Sequence, residues 1–478
     1  MNRRIVVTAG AIALVAASAV VTATVALPAL DRPAAMPFQI EPPAPVVACP
    51  GAQTVPVGDV GAGGDLASEP TVRTFDVRGP AETRAVGFGW GADDAVAVQM
   101  ERIADGDIEG WAALTCAQPA FDQWLVGGST TLGSSARLVL SNPSAAPTEV
   151  TVTIYGPLGA QVDQLLVPVA PGGAMQRLVE GVAAELSAMV VRVEATGPGV
   201  VAALQDSRLE GFQPAGTAWV GASVPATDMA IPVVNADALP VGGADTAGDQ
   251  GAGAATQTPT PTPTPTEPVS PALEVPATAV TVRLMAPDGA NVDLSLVSSQ
   301  GIESWSVGHP IALEPGVVTD VDVPTVALGA IEVRSDAPVV AAARTVVARA
   351  PQEGLADDIA YDHTWVPAMD VRTSTTLTAV VPSDGAGFAV YSPYAKRVEI
   401  LDDSDEVVGS ADLTARTVQW VPISAAPGSR VHVEGVFAWA FVMTSDDGYI
   451  ASASPVDISS SSLTAIVLPG TYPTSTGG

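Results

Sequence analysis

Three kinds of side chain could do chemistry in this sequence, and each has a plainer reading beside it. Carboxylates gather in three turns, Asp105-Gly106-Asp107-Ile108-Glu109, Asp402-Asp403-Ser404-Asp405-Glu406 and Asp446-Asp447-Gly448. Hard oxygen ligands so close in sequence suit calcium, and Asp402, Asp403 and Asp405 are the candidate ligands. None of the turns completes an EF-hand loop. Turns favour Asp in any case, so a solvated hairpin tip is the expected reading, here between Val398-Leu401 and Val407-Val408.

The tryptophans Trp124, Trp219 and Trp365 recur after similar short strands, so they are candidate platforms for stacking a sugar. Large rings that recur with a fold more often fill its core, and that is the expectation. The histidines are His309, His363 and His432, and none sits in a G-x-S-x-G, S-x-x-K or H-E-x-x-H context. No catalytic residue is assigned and no cofactor is implied. The two cysteines, Cys49 and Cys116, lack a neighbouring His and make a poor zinc site, so a disulfide is expected.

The elements that would position these residues are short strands. Four quartets alternate apolar and polar residues: Val98-Glu101, Val191-Glu194, Ile331-Arg334 and Val431-Glu434. A small, apolar strand follows each, at Trp111-Leu114, Val201-Leu204, Val340-Ala343 and Phe437-Ala440. Turn signals such as Asn142-Pro143 and Pro171-Gly172-Gly173 separate further strands. The fold class is therefore all-β: tandem immunoglobulin-like β-sandwich repeats after one N-terminal transmembrane helix, with a β-propeller as the alternative. Unequal repeat spacing speaks against a closed ring and for an extended array.

The expected boundaries are an N-terminal membrane anchor or signal segment (1–30), an incomplete first β-unit (45–128), a second sandwich (129–238), a linker (239–274), a third sandwich (275–370) and a fourth (371–470). The linker is Gly- and Ala-rich, then alternates Thr and Pro from Thr258 to Thr266, which favours an extended spacer and offers acceptors for sugars.

Location follows from the N-terminus. Arg3 and Arg4 precede an uncharged run, residues 5–27, long enough to span the cytoplasmic membrane. The positive-inside rule then places the bulk of a single-pass chain outside the cytoplasm. Secretion after signal cleavage is the alternative. The 51 acids against 20 bases give a net charge of −31, which excludes a nucleic-acid partner.

The N-terminal span, Cys49-Pro50-Gly51, Cys116, Trp124-Leu125-Val126-Gly127-Gly128 and Leu138-Val139-Leu140-Ser141-Asn142-Pro143 together resemble a family of actinobacterial envelope proteins catalogued only as a domain of unknown function. The resemblance implies an extracellular, tethered protein and brings no catalytic residues. The expected role is a non-enzymatic envelope scaffold or binding protein, with an envelope protein or cell-wall glycan as partner. The alternative is a glycan-acting hydrolase using loop carboxylates.

Overall fold

The computed structural model describes residues 36–39, 47–54, 71–76, 79–82, 96–105, 107–211, 213–234, 279–303, 305, 310–324, 327–349, 359–372, 375–383, 387–445, 448–457 and 464–467. All regular structure among them is β, and no helix there is long and apolar enough to cross a membrane. The expected span 5–27, the linker 239–274 and His309 lie outside the described residues. The chain divides into two units: residues 44–459, and the two termini together. In the terminal unit β1 (Met36–Gln39) pairs antiparallel with the last strand of the chain.

Residues 44–459 begin with half a repeat. Its strands are β2 (Thr71–Asp76), β3 (Gly79–Glu82), β4 (Ala97–Asp105) and β5 (Ile108–Cys116), in the sheet order β3-β2-β4-β5. The second unit comprises β6 (Asp122–Val126), β7 (Ser134–Asn142), β8 (Thr148–Gly156), β9 (Gly159–Val169), β10 (Gly173–Leu178), β11 (Val190–Ala195), β12 (Val201–Glu210), β13 (Gln213–Val220) and β14 (Ala222–Ser223). Its sheets, β14-β6-β11-β8-β9 and β10-β7-β12-β13, share one core. Strand β8 shows why: Val150, Val152 and Ile154 face inward while Glu149 is exposed, the period of a half-buried strand.

The third unit repeats this order. Its strands are β15 (Ala226–Val234), β16 (Ala279–Met285), β17 (Ala290–Ser298), β18 (Gly301–Ile302), β19 (Ile311–Leu313), β20 (Thr319–Val323), β21 (Leu328–Arg349), β22 (Ala360–Pro367) and β23 (Met369–Asp370). The long strand β21 replaces two strands of the second unit. Its first half pairs with β15 and β17, its second half with β16 and β22. The fourth unit has β24 (Thr375–Val380), β25 (Gly387–Ser392), β26 (Lys396–Asp402), β27 (Val407–Leu413), β28 (Thr417–Pro422), β29 (Arg430–Gly435), β30 (Ala438–Thr444), β31 (Ile450–Ala453) and β32 (Val456–Asp457). Its sheets are β27-β26-β29-β24-β32 and β28-β25-β30-β31. The partner of β1 is β33 (Thr464–Val467).

Two expectations change. The end of the second sandwich was expected at 238, but β15 pairs with β21 and β23 of the third unit. The Thr-Pro segment therefore interrupts the third unit after its first strand and does not separate two units. The array is also not extended. The final strands of the four-stranded sheets pack in a closed cycle: β5 on β13, β13 on β22, β22 on β31 and β31 on β5.

Shared apolar clusters cross each junction. Ala112 of the first unit meets Val139, Ala203 and Trp219 of the second. Met285, Val340 and Trp365 of the third join the second unit's core. Ala230 and Ala330 meet Tyr391 and Ala438 of the fourth. Val98 and Met100 of the first complete the fourth unit's core, alongside Phe388 stacked on Phe441 with ring centroids 3.7 Å apart. The described residues are therefore all-β, with several sheets that pack around one centre.

Candidate functional site

The centre of the cycle is polar, which is unusual in a core because a buried polar group must find a partner. Asp362 and His363 on β22 touch every unit. Asp362 Oδ2 accepts the N–H of Trp111 (3.3 Å) on β5 and of Ile450 (3.0 Å) on β31, and Oδ1 accepts the N–H of His363 (2.9 Å). Burial pushes the Asp362 carboxyl up to about 8, against the pull of those three donors.

The His363 ring faces the second unit. Nε2 lies 3.2 Å from Asp206 Oδ2 on β12, and Nδ1 lies 3.3 Å from the Ala215 carbonyl. Burial disfavours the charged imidazole and Asp206 opposes that. Asp206 also accepts from Trp365 Nε1 (2.8 Å) and Arg208 Nη2 (3.3 Å). Burial alone would raise its pKa, but Arg208, His363 and Trp365 together hold the carboxyl well below the usual carboxylate range.

A second arm reaches the same strands. Arg349 on β21 donates from Nη1 to Glu109 Oε1 (3.0 Å) of the first unit and from Nη2 to the Pro214 carbonyl (3.0 Å) of the second. The Tyr449 hydroxyl of the fourth unit donates to the same Glu109 oxygen.

A third arm grips the segment 47–54. Cys49 and Cys116 form a disulfide, both fully buried, with Cα atoms 4.5 Å apart. Beyond it the Gln99 amide pairs with both Gly51 N (3.1 Å) and Gly51 O (2.5 Å), and Gln205 does the same for Thr54 (3.1 and 2.8 Å). Between them Gln53 N–H donates to Glu101 (2.8 and 3.0 Å). Burial pushes the Glu101 carboxyl up to about 8, opposed weakly by Gln53 and the Trp219 indole.

The backbone closes tightly on this centre. Gly216 has φ +98°, and a methyl group on it would stand 2.7 Å from Asp362 Oδ1 and from His363 Nδ1. A methyl on Gly110 would stand 2.7 Å from Thr217 N. Asp206, Asp362 and His363 are at most 1% exposed. An Asp–His pair can orient a base, but here both side chains are buried and bonded across strands of different units.

The residues singled out in the sequence lie elsewhere or serve packing. Trp124, Trp219 and Trp365 are at most 3% exposed, so none presents a free face to a sugar. Trp124 stacks on Tyr155 (5.9 Å) under the Arg192 guanidinium (4.8 Å), and Trp365 lies beneath Arg283 (5.0 Å). Their equivalence is partial. Trp219 and Trp365 occupy the inner strands β13 and β22, where the first unit has Trp111 on β5, whereas Trp124 opens the second unit on β6.

The Asp402 cluster is the β26–β27 turn. Asp402 Oδ1 accepts the N–H of Ser404 (2.8 Å) and Glu406 (3.0 Å), and Asp403 is paired with Arg430. Asp405 adopts φ 59° at the tip. Among the described residues no group of three or more acids, histidines or cysteines is arranged to hold a metal ion. His432 is half-buried on β29, and Asp446 and Asp447 lie outside the described residues. At the polar positions of the quartets, Arg192 is partly exposed and paired with Asp122, whereas Gln99, Glu101 and Glu332 are buried.

The model of a family of unknown function, DUF5719, matches residues 71–414. No curated protein matches the chain. A solved structure described as a biofilm associated protein, BSP domain, is similar at 7% identity over 76% of this chain and 63% of that one, with a TM-score of 0.16. A likeness at that score carries no argument, and the chain spans less than two thirds of that protein. The chain belongs to the family of unknown function DUF5719.

Proposed function

From that membership, we propose that the chain is an exported, membrane-anchored, non-enzymatic cell-envelope protein that holds protein or glycan partners on a rigid cycle of immunoglobulin-like units. The anchor is residues 5–27, with Arg3 and Arg4 on the cytoplasmic side. In the second and fourth units, two sheets built from nine strands over about 100 residues support the immunoglobulin-like description.

One observation carries the functional reading. The groups best suited to acid–base work, Asp206, Asp362, His363 and Glu101, are all buried and bonded between strands of different units or to segment 47–54. That is the disposition of a joint. Export is supported by the buried disulfide, a bond that persists in oxidising compartments.

The test is fractionation with thiol labelling of intact cells expressing the full chain. The reading expects the protein in the membrane fraction, digestible by external protease, with Cys49 and Cys116 unreactive until reduced. Replacing residues 1–30 with a cleavable signal is expected to release it into the medium. A cytoplasmic chain with two free thiols contradicts the reading.

A further inference from the structure

The three repeated units act as controls for one another. In each, a left-handed residue shortly before an outer strand, β10, β20 or β28, donates its N–H near the end of the neighbouring strand, β7, β16 or β25. The pairs are Gly172 to Ser144 O (2.9 Å), Gly316 to Ala286 O (2.8 Å) and Arg416 to Ser392 O (3.0 Å), with φ of 61°, 69° and 56°. Glycine adopts this conformation freely, whereas a side chain there costs roughly 1–2 kcal/mol.

The fourth unit accepts that strain and gains a reach. Arg416 Nε donates to Glu332 Oε1 (2.7 Å) of the third unit, and Nη2 to Oε2. Glu332 is 2% exposed and also accepts the Tyr391 hydroxyl. At the equivalent quartet position the sister units carry Arg192 and His432. Burial would raise the Glu332 pKa, but Arg416 and Tyr391 hold it below the usual range.

Glu332, one of these departures from the repeat, lines a cleft. Its volume is about 450 Å³, within the range of small-molecule sites, and it lies at a junction of units, where such sites concentrate. Glu332, Met229 and Tyr391 form the buried floor. Arg334 and Arg372 line it with side chains 52% and 62% exposed, Asp228 with one 41% exposed, and Tyr394 is 59% exposed. A joint alone would need the Arg416–Glu332 pair but not an open cavity rimmed by a free aromatic ring.

The lining selects a ligand class. The charged residues that line it are two acids and two bases, and they are paired: Arg372 Nε lies 3.7 Å from Asp228, and Arg334 lies 3.5 Å from Glu332. A balanced site gives an ion no net attraction. It offers donors and acceptors side by side, which hydroxyl groups satisfy in both roles, and a flat ring for an apolar face. A pyranose has both features.

We propose that this cleft binds a neutral saccharide of one or two rings, with a sugar face on Tyr394 and its hydroxyls on Asp228, Arg334 and Arg372. The inference deepens the binding role above and rests on it. Calorimetry and saturation-transfer NMR on the full chain, with N,N′-diacetylchitobiose and maltose as probes, test it. One of these sugars is expected to bind with a Kd of about 1 mM, and Tyr394→Ala and Arg334→Ala each to weaken it about tenfold with unchanged melting temperature. No binding of either at about 20 mM, or binding indifferent to both variants, overturns the proposal. Tighter binding of triglycine or inorganic phosphate at the same residues also overturns it. Any of these failures leaves the cell-fractionation result, and so the envelope reading, standing.

Discussion

The Asp362 side chain accepts the Ile450 backbone N–H at 3.0 Å, although 88 residues separate them along the chain. The same oxygen accepts from Trp111, 251 residues away. One buried side chain therefore fastens the first, third and fourth units, and its neighbour His363 reaches the second. Asp362→Ala removes the side-chain acceptor of three N–H groups, those of Trp111, Ile450 and His363. The expected cost is about 3 kcal/mol, read as a lower urea midpoint of a single transition. A change within about 0.5 kcal/mol, the scale of an ordinary surface substitution, contradicts it.

Glycine substitutions separate strain from crowding. Gly172 and Gly216 both have positive φ, but a methyl on Gly172 meets nothing within 4 Å, while one on Gly216 strikes Asp362 and His363. Gly172→Ala is expected to cost about 1 kcal/mol, the left-handed penalty alone. Gly216→Ala is expected to exceed it by at least about 2 kcal/mol, since it also overpacks the centre. Equal costs in chemical denaturation contradict a closely packed hub.

Stability is expected to fall as pH rises from about 4 to about 8. Glu101 and Asp362 have ordinary pKa values of 4.5 and 3.8 and are raised to about 8 in the fold, so the folded chain keeps protons that the unfolded chain releases. Their contribution is full below the unfolded values and is lost as pH approaches about 8. Asp206 acts with the opposite sign: its contribution is present above 3.8 and lost as pH falls below that. Urea midpoints at pH 5, 7 and 9 are expected to decline in the native chain and to decline less in Glu101→Gln. A native chain more stable at pH 9 than at pH 5 contradicts this.

The disulfide holds segment 47–54 where Gln99, Glu101 and Gln205 bind its backbone. Cys49→Ser with Cys116→Ser is expected to cost about 2–4 kcal/mol. Amide exchange of Gly51, Gln53 and Thr54 is expected to quicken selectively. Unchanged protection there means the side-chain bonds alone hold the segment.

The sequence displayed the strands and hid the closure. Alternation in Val150-Thr151-Val152-Thr153-Ile154 marks a half-buried strand without help from the rest of the chain. The runs Val201-Ala202-Ala203-Leu204 and Val340-Ala341-Ala342-Ala343 carried a second message. Small residues on both sides mean both faces are buried, one in the unit's own core and one against a neighbour, as Ala202 and Ala203 are. Polar residues directly after the first run, Gln205-Asp206, and on the strand after the second, Tyr361-Asp362-His363, were the trace of the hub. Its partners come from four distant segments, and no local pattern pairs Asp362 with Trp111 and Ile450. The first quartet differs from the others in its surroundings: Val98-Glu101 on β4 resembles its sisters in spelling but neighbours the inner strand β5, and its polar residues Gln99 and Glu101 are buried.

The central claim is that the four units close on one another through Asp362. Residue-resolved hydrogen exchange of the Trp111 and Ile450 amides tests it most directly. The account predicts that both exchange only on global unfolding in the native chain, and that both lose protection together in Asp362→Ala. A Trp111 amide that exchanges as freely as a loop in the native chain, while Ile450 stays protected, contradicts it.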